Sequence, residues 1–149
     1  MRFKFLEHTA DIKFQAFGNN LEEAFKNSAI AMSKSILNED VKGKLKKTIK
    51  AKGRDNERLL YDFLEELLIL FDTENFLITD VKKIKIKNNE LIAEVLGVNA
   101  EKYEMDNHIK SVTYNEMFVK RQKIKSLPSS PKSQTKEKNK WVAQVVLDV

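Results

Sequence analysis

Two aspartates of this chain stand where a carboxylate could do more than face water. Asp11 closes the string Glu7-His8-Thr9-Ala10-Asp11 between two short apolar alternations, and Asp148 is followed only by Val149. A carboxylate next to a terminal α-carboxylate puts anionic oxygens on adjacent residues, and a third carboxylate beside them would complete a site for a hard cation. Taken alone, Asp11 reads as a turn residue and Asp148 as a solvated end. What raises both is the run Val142–Leu147, which carries strand character to within two residues of Val149, so that a sheet holds the end of the chain. The expected site is Asp11, Asp148 and the carboxylate of Val149, with His8 as a hydrogen-bonded support beside it.

Other chemistries find little here. Cysteine is absent, which removes thiolate nucleophiles, disulfides and cysteine-held zinc, so any metal must be bound by oxygen or by the two histidines. None of the four glycines falls into GxGxxG or GxxxxGKS/T, and no serine sits in a GxSxG elbow. His8 and His108 are the only side chains whose ordinary pKa suits general-base work near neutrality.

The charge balance is 27 basic against 22 acidic residues, or +5, and all but four of the basic residues are lysine. Such a balance attracts nucleic acid or an acidic partner. The stretch Lys83-Ile84-Lys85-Ile86-Lys87 favours a plainer reading, a sheet solvating its outer face, and arginine, the better fork for phosphate, is scarce. Arg2, Lys4, Glu7 and Asp11 interrupt the N-terminus as a leader, and no run approaches the roughly 18 apolar residues of a membrane helix. The expectation is a cytoplasmic protein without membrane contact.

At 149 residues, 42% of them hydrophobic and 33% charged, the composition predicts a single domain over 1–149. Strands are expected on either side of residues 7–10. From Asn20, the positions Leu21, Ala24, Phe25, Ser28, Ala29, Met32 and Ile36 recur at helical spacing, with Asn20 and Glu23 as a capping box. A strand over 41–52 ends at Gly53. Asp55 caps a second helix whose apolar face runs through Leu59, Leu60, Phe63, Leu64, Leu67, Leu68 and Phe71. Strands follow over 76–87, 90–98, 109–124 and 141–148, with a turn at Asn88-Asn89. Residues 126–140 hold both prolines and almost nothing apolar, which predicts a mobile loop. The order implies an α+β fold, a two-layer sandwich of a mixed or antiparallel β-sheet with two α-helices packed on it.

Five strings carry a resemblance. Phe5-Leu6-Glu7-His8-Thr9-Ala10-Asp11-Ile12, Asn20-Leu21-Glu22-Glu23-Ala24-Phe25, Leu59 to Leu68, Ile109-Lys110-Ser111-Val112-Thr113-Tyr114, and the ending Val146-Leu147-Asp148-Val149 together resemble the archease family, in order over essentially the whole chain. The resemblance implies a protein that assists the GTP-dependent tRNA-splicing ligase RtcB, promoting its guanylylation and turnover without joining RNA itself. It also implies a divalent-cation site, described as calcium-binding, carried here by Asp11, Asp148 and Val149; magnesium and manganese would suit the same oxygens. The family follows Val-Thr-Tyr with histidine, where this chain has Asn115. RtcB is the implied partner, with tRNA contact weak or indirect. An RNA-binding or chaperone-like module and a metal-dependent phosphoesterase stand as the alternatives.

Overall fold

The computed structural model describes residues 1–8, 10–125 and 137–149. Strands β1 (Phe3–Leu6) and β2 (Asp11–Gly18) precede helix α1 (Leu21–Ile36), then β3 (Leu45–Lys52), helix α2 (Asn56–Glu74), β4 (Phe76–Lys87), β5 (Glu90–Asn99), β6 (Ser111–Lys125) and β7 (Glu137–Asp148). The fold is α+β. The seven strands divide into two sheets where one was expected, a four-stranded sheet in the order β1-β2-β7-β6 and a three-stranded sheet in the order β3-β5-β4, each antiparallel throughout. Period-two alternation reports which face of a strand is buried, not which edge it pairs with, so the sequence pattern alone does not separate one sheet from two.

Each helix starts at its expected cap. The Asn20 side chain accepts from the Glu23 N–H at 2.8 Å, and that of Asp55 accepts from the Arg58 N–H at 2.8 Å, satisfying backbone donors that have no partner within the helix. α2 ends where Asn75 turns left-handed at φ 55°, its N–H returning to the Leu70 and Phe71 carbonyls. Asparagine tolerates that region better than most residues. The pair Asn88 and Asn89, both at positive φ, closes the β4–β5 hairpin. The mirror-image turn they form matches the twist of the flanking strands.

The helices bury their apolar faces against both sheets in one continuous core. Phe14, Val145 and Leu147 come from the four-stranded sheet, Val81 and Val95 from the three-stranded one, and Phe25, Met32, Phe63 and Leu64 from the helices. Phe25 and Phe63 stack with centroids 6.4 Å apart, joining the two helices. Burying each such side chain contributes roughly 1.5–3 kcal/mol relative to exposure. This core makes rigid platforms of β2 and β7, the central strands of their sheet.

Two expected boundaries move. The strand foreseen over 41–52 begins at Leu45, because Gly43 donates its N–H to the Thr79 hydroxyl at 3.0 Å rather than to a ladder. The last strand begins at Glu137, so 137–140, read from composition as part of a loop, belong to β7; the rest of that loop, 126–136, lies outside the described residues.

Candidate functional site

β2 and β7 run antiparallel in a register that sets Asp11 directly opposite Asp148, and β6 places Ser111 opposite Asp148 on the other side. Residues directly opposed in an antiparallel pair share a face, with Cβ atoms about 5 Å apart. Asp11, Asp148 and Ser111 therefore form a row across three strands. The core lies on the other face, to which the neighbours Ile12 and Leu147 belong by alternation; Leu147 is fully buried and Ile12 packs against the core. The Lys110 N–H donates to the Asp148 carbonyl at 2.8 Å, fastening the end of β7 to the start of β6. Ala10 enters β2 at φ 64°, a left-handed turn that brings His8 back over the strand it precedes.

His8 links two carboxylates. Its Nε2 lies 3.0 Å from Oε2 of Glu116, and its Nδ1 3.5 Å from Oδ2 of Asp11. A carboxylate only accepts, so the Nε2 hydrogen bond places the proton on that nitrogen. Nδ1, on the Asp11 side, is the one buried side-chain polar atom without a hydrogen-bond partner among the described residues. The His8 hydrogen bond, with the charge of Lys13 3.5 Å away, holds the Glu116 carboxyl below the usual carboxylate range.

Glu116 reaches this place through a bulge. Between the pairs Thr113↔Val146 and Phe118↔Gln144, four residues of β6 stand against the single Val145 of β7. Glu116 sits there at φ 55°, and its carbonyl accepts from the Gln144 side chain at 2.8 Å, which in turn accepts from Gln15 at 2.8 Å. Extra residues that re-aim a side chain beside a site are a common use of bulges. Asn115 lies exposed in the same bulge, its N–H donating to the Thr113 hydroxyl at 3.2 Å.

The register brings together the two aspartates expected from sequence, with Val149 next in the chain and His8 against Asp11. Sequence reading missed Glu116 and Lys13; the broken alternation at Asn115-Glu116-Met117-Phe118 was the signal available for the bulge. His108 is exposed ahead of β6. Asp11 also borders a cleft of about 530 Å³ whose other acids are Glu39 and Asp106.

As to a metal, no group of three or more His, Cys, Asp or Glu side chains among the described residues is arranged to hold an ion. The side chains of Asp11 and Asp148 supply two hard oxygen donors, and an all-oxygen shell for calcium would be completed by the Val149 carboxylate and water. The unpartnered Nδ1 of His8 beside Asp11 is the kind of polar edge that a hydrated ion satisfies. The two opposed carboxylates therefore suit a weakly caged, water-rich divalent cation held by oxygen.

A two-sheet α+β fold with an opposed aspartate pair on the central strands of one sheet defines the class. Residues 3–149 match the profile of the Archease protein family (MTH1598/TM1083). Protein archease of Pyrococcus abyssi is 37% identical over 155 aligned positions covering 99% of each chain, and that of Methanosarcina barkeri 36% identical over 99% of this chain and 96% of its own. The solution structure of Methanobacterium thermoautotrophicum protein 1598 superposes with a TM-score of 0.72 at 28% identity over 99% of both chains. The crystal structure of a Thermotoga maritima archease, described as a possible chaperone, shares the fold at a TM-score of 0.58 and 22% identity, covering 98% of this chain and 96% of its own. The chain belongs to the archease family.

Proposed function

We propose that this protein is a cytoplasmic activator of an RtcB-type, GTP-dependent tRNA-splicing ligase, promoting guanylylation and turnover of the ligase while joining no RNA itself. The observation that supports it most is the Asp11–Asp148 pair across β2 and β7. Asp11, Asp148 and the Val149 carboxylate would hold a divalent cation, calcium in the first instance, with His8 orienting Asp11. Bound there, the ion would supply positive charge able to offset nucleotide phosphates.

The chain's own residues do the rest. The β2–β7 ladder fixes the spacing of the two carboxylates, so neither must be ordered when the ligase arrives. Glu116, itself paired with Lys13, holds the His8 ring from the far side, keeping its Nδ1 edge toward Asp11. With Nε2 engaged by Glu116, the His8 ring is fixed in orientation beside Asp11, which suits an assisting role. The exposed large apolar side chains, Phe5, Leu45, Ile69, Ile92 and Tyr114 among them, come from separate elements, which gives a chaperone reading no specific support.

The test is guanylylation of the purified ligase with and without this protein. Wild type stimulates, and folded Asp11→Ala and Asp148→Ala lose most of that stimulation. Full stimulation by both variants refutes the assignment of the carboxylates, and no stimulation by wild type refutes the reading as a whole.

A further inference from the structure

A second cluster lies away from the carboxylate pair, where β3 runs into α2. Two of the chain's four arginines, Arg54 and Arg58, fall within five residues there. The Arg58 guanidinium lies 5.1 Å from the Tyr61 ring centroid and 6.0 Å from that of Tyr114, and its Nη1 donates to the Tyr114 hydroxyl at 2.6 Å. Tyr61 and Tyr114 stack with centroids 4.3 Å apart and planes 7° apart. One face of Tyr114 is thus covered, yet the residue is 48% exposed, which leaves its other face to solvent.

Tyr114 helps to wall a cleft of about 750 Å³ that brings in Lys52, Arg54 and Arg58 against one carboxylate, Glu90. A second cleft of about 630 Å³ shares Lys52 and Glu90 and adds Lys50, Lys85 and Lys87 against Asp62. Register explains the row: Lys52 and Lys87 flank Glu90, and Lys50 and Lys85 flank Ile92, across the outer face of the three-stranded sheet. Among the described residues none of these four lysines is in a salt bridge, while Arg54 has only Asp55 nearby, at 3.8 Å.

The cleft is preformed. A Cβ on Gly53 would come within 2.5 Å of the Leu59 nitrogen, so only glycine lets the end of β3 press against the first turn of α2. The Gly53 N–H donates to the Asn89 carbonyl at 3.1 Å and ties that junction to the tip of the β4–β5 hairpin.

We propose that this track binds single-stranded nucleic acid, with one base stacked on the open face of Tyr114 and successive phosphates running past Arg54 and Arg58 onto the lysine row. A rigid aromatic plane beside a row of cations is what a sequence-tolerant single-strand site requires. Guanidinium groups add forked donors for phosphate oxygens. A protein interface would instead need a desolvated apolar centre, and the outer face here sets lysines around Glu90, Glu94 and one exposed isoleucine, Ile92.

The probe is a fluorescein-labelled, unstructured RNA of about 12 nucleotides, measured by anisotropy on the isolated protein across a salt series, beside a duplex of the same sequence. Tyr114→Leu weakens single-strand binding by about 5- to 100-fold with little change in the salt slope. Arg54→Gln, whose native side chain is 90% exposed and whose loss should not disturb the fold, lowers the slope of log affinity against log salt by about 0.7. Undiminished affinity in Tyr114→Leu, equal affinity for the duplex, or no binding at low salt each overturns the proposal. It is also overturned if RNA is not bound but Arg54→Gln weakens association with the ligase, which makes the track a protein contact. Because the RNA measurement needs no ligase, its failure is separable from failure of the activator reading.

Discussion

Replacing Asp148 by asparagine should change stability in opposite directions with and without metal. In metal-free protein two carboxylates face each other across the β2–β7 ladder. At a Cβ separation of about 5 Å and the dielectric of bulk water, Coulomb's law gives a repulsion of about 0.8 kcal/mol. That falls within the roughly 0.2–1 kcal/mol cost of like charges set directly opposite in a sheet. The Asp11 side chain keeps 29% of its surface exposed, so water reaches the pair and screens it. Asp148→Asn in EDTA should therefore raise Tm by about 1–3 °C, at about 3 °C per kcal/mol for a chain of this size. Calcium at about a hundred times its dissociation constant adds about 2.7 kcal/mol to a protein that binds it only when folded, or about 8 °C, to wild type alone. The order of the two proteins then inverts. Thermal unfolding followed by circular dichroism, in EDTA and in calcium, reads both signs. A wild-type Tm indifferent to calcium, magnesium and manganese, or a variant less stable than wild type in EDTA, refutes the reasoning.

Three further outcomes are expected. Asp55→Ala removes the acceptor of the Arg58 N–H at the start of α2 and should cost about 1 kcal/mol in urea unfolding, with the m-value unchanged. Gly97→Ala places a methyl 2.5 Å from the Leu77 carbonyl oxygen and 2.6 Å from Phe76 Cζ, and the backbone shift this forces should cost about 1–3 kcal/mol by the same assay. Burial, with a hydrogen bond to Glu65, raises the Tyr61 pKa, so the stabilisation from its neutral phenol is complete below the ordinary value of 10.0 and is lost as pH rises through the higher folded value. Tyr61→Phe should delete a phenolate step that lies above the ordinary value of 10.0 in the absorbance titration; loss of a step at or below that value refutes the assignment.

What the sequence could disclose followed the range of the interaction involved. The helices were readable because their signals are local: Asn20 and Asp55 lie one residue ahead of the helices they cap, and the Asn88-Asn89 turn lies between the strands it joins. The pairing of Asp11 with Asp148 was suggested by strand character at both places, but its register depends on a ladder between opposite ends of the chain. Glu116 was hidden for another reason. Alternation along β6 assumes a regular pleat, and the residues that break it at 114–117 are held by Gln144 and His8, partners far away in sequence. The Arg58-Tyr61-Tyr114 stack was likewise unreadable, since helical spacing joins the first two but only tertiary packing brings in the third.

The two innermost strands of the four-stranded sheet, β2 and β7, are nearly the most distant in the chain. The hairpin of β4 and β5 closes a short loop, whereas joining Asp11 to Asp148 closes one spanning nearly the whole chain, and the entropy of that closure must be met before any of its contacts form. During synthesis, then, the three-stranded sheet and its helix can gather while β2 still lacks its partner, with an unpaired edge exposed. The carboxylate pair cannot exist on a chain in which β7 is missing or undocked. Whatever the pair does is thereby withheld until β7 has emerged and docked against β2.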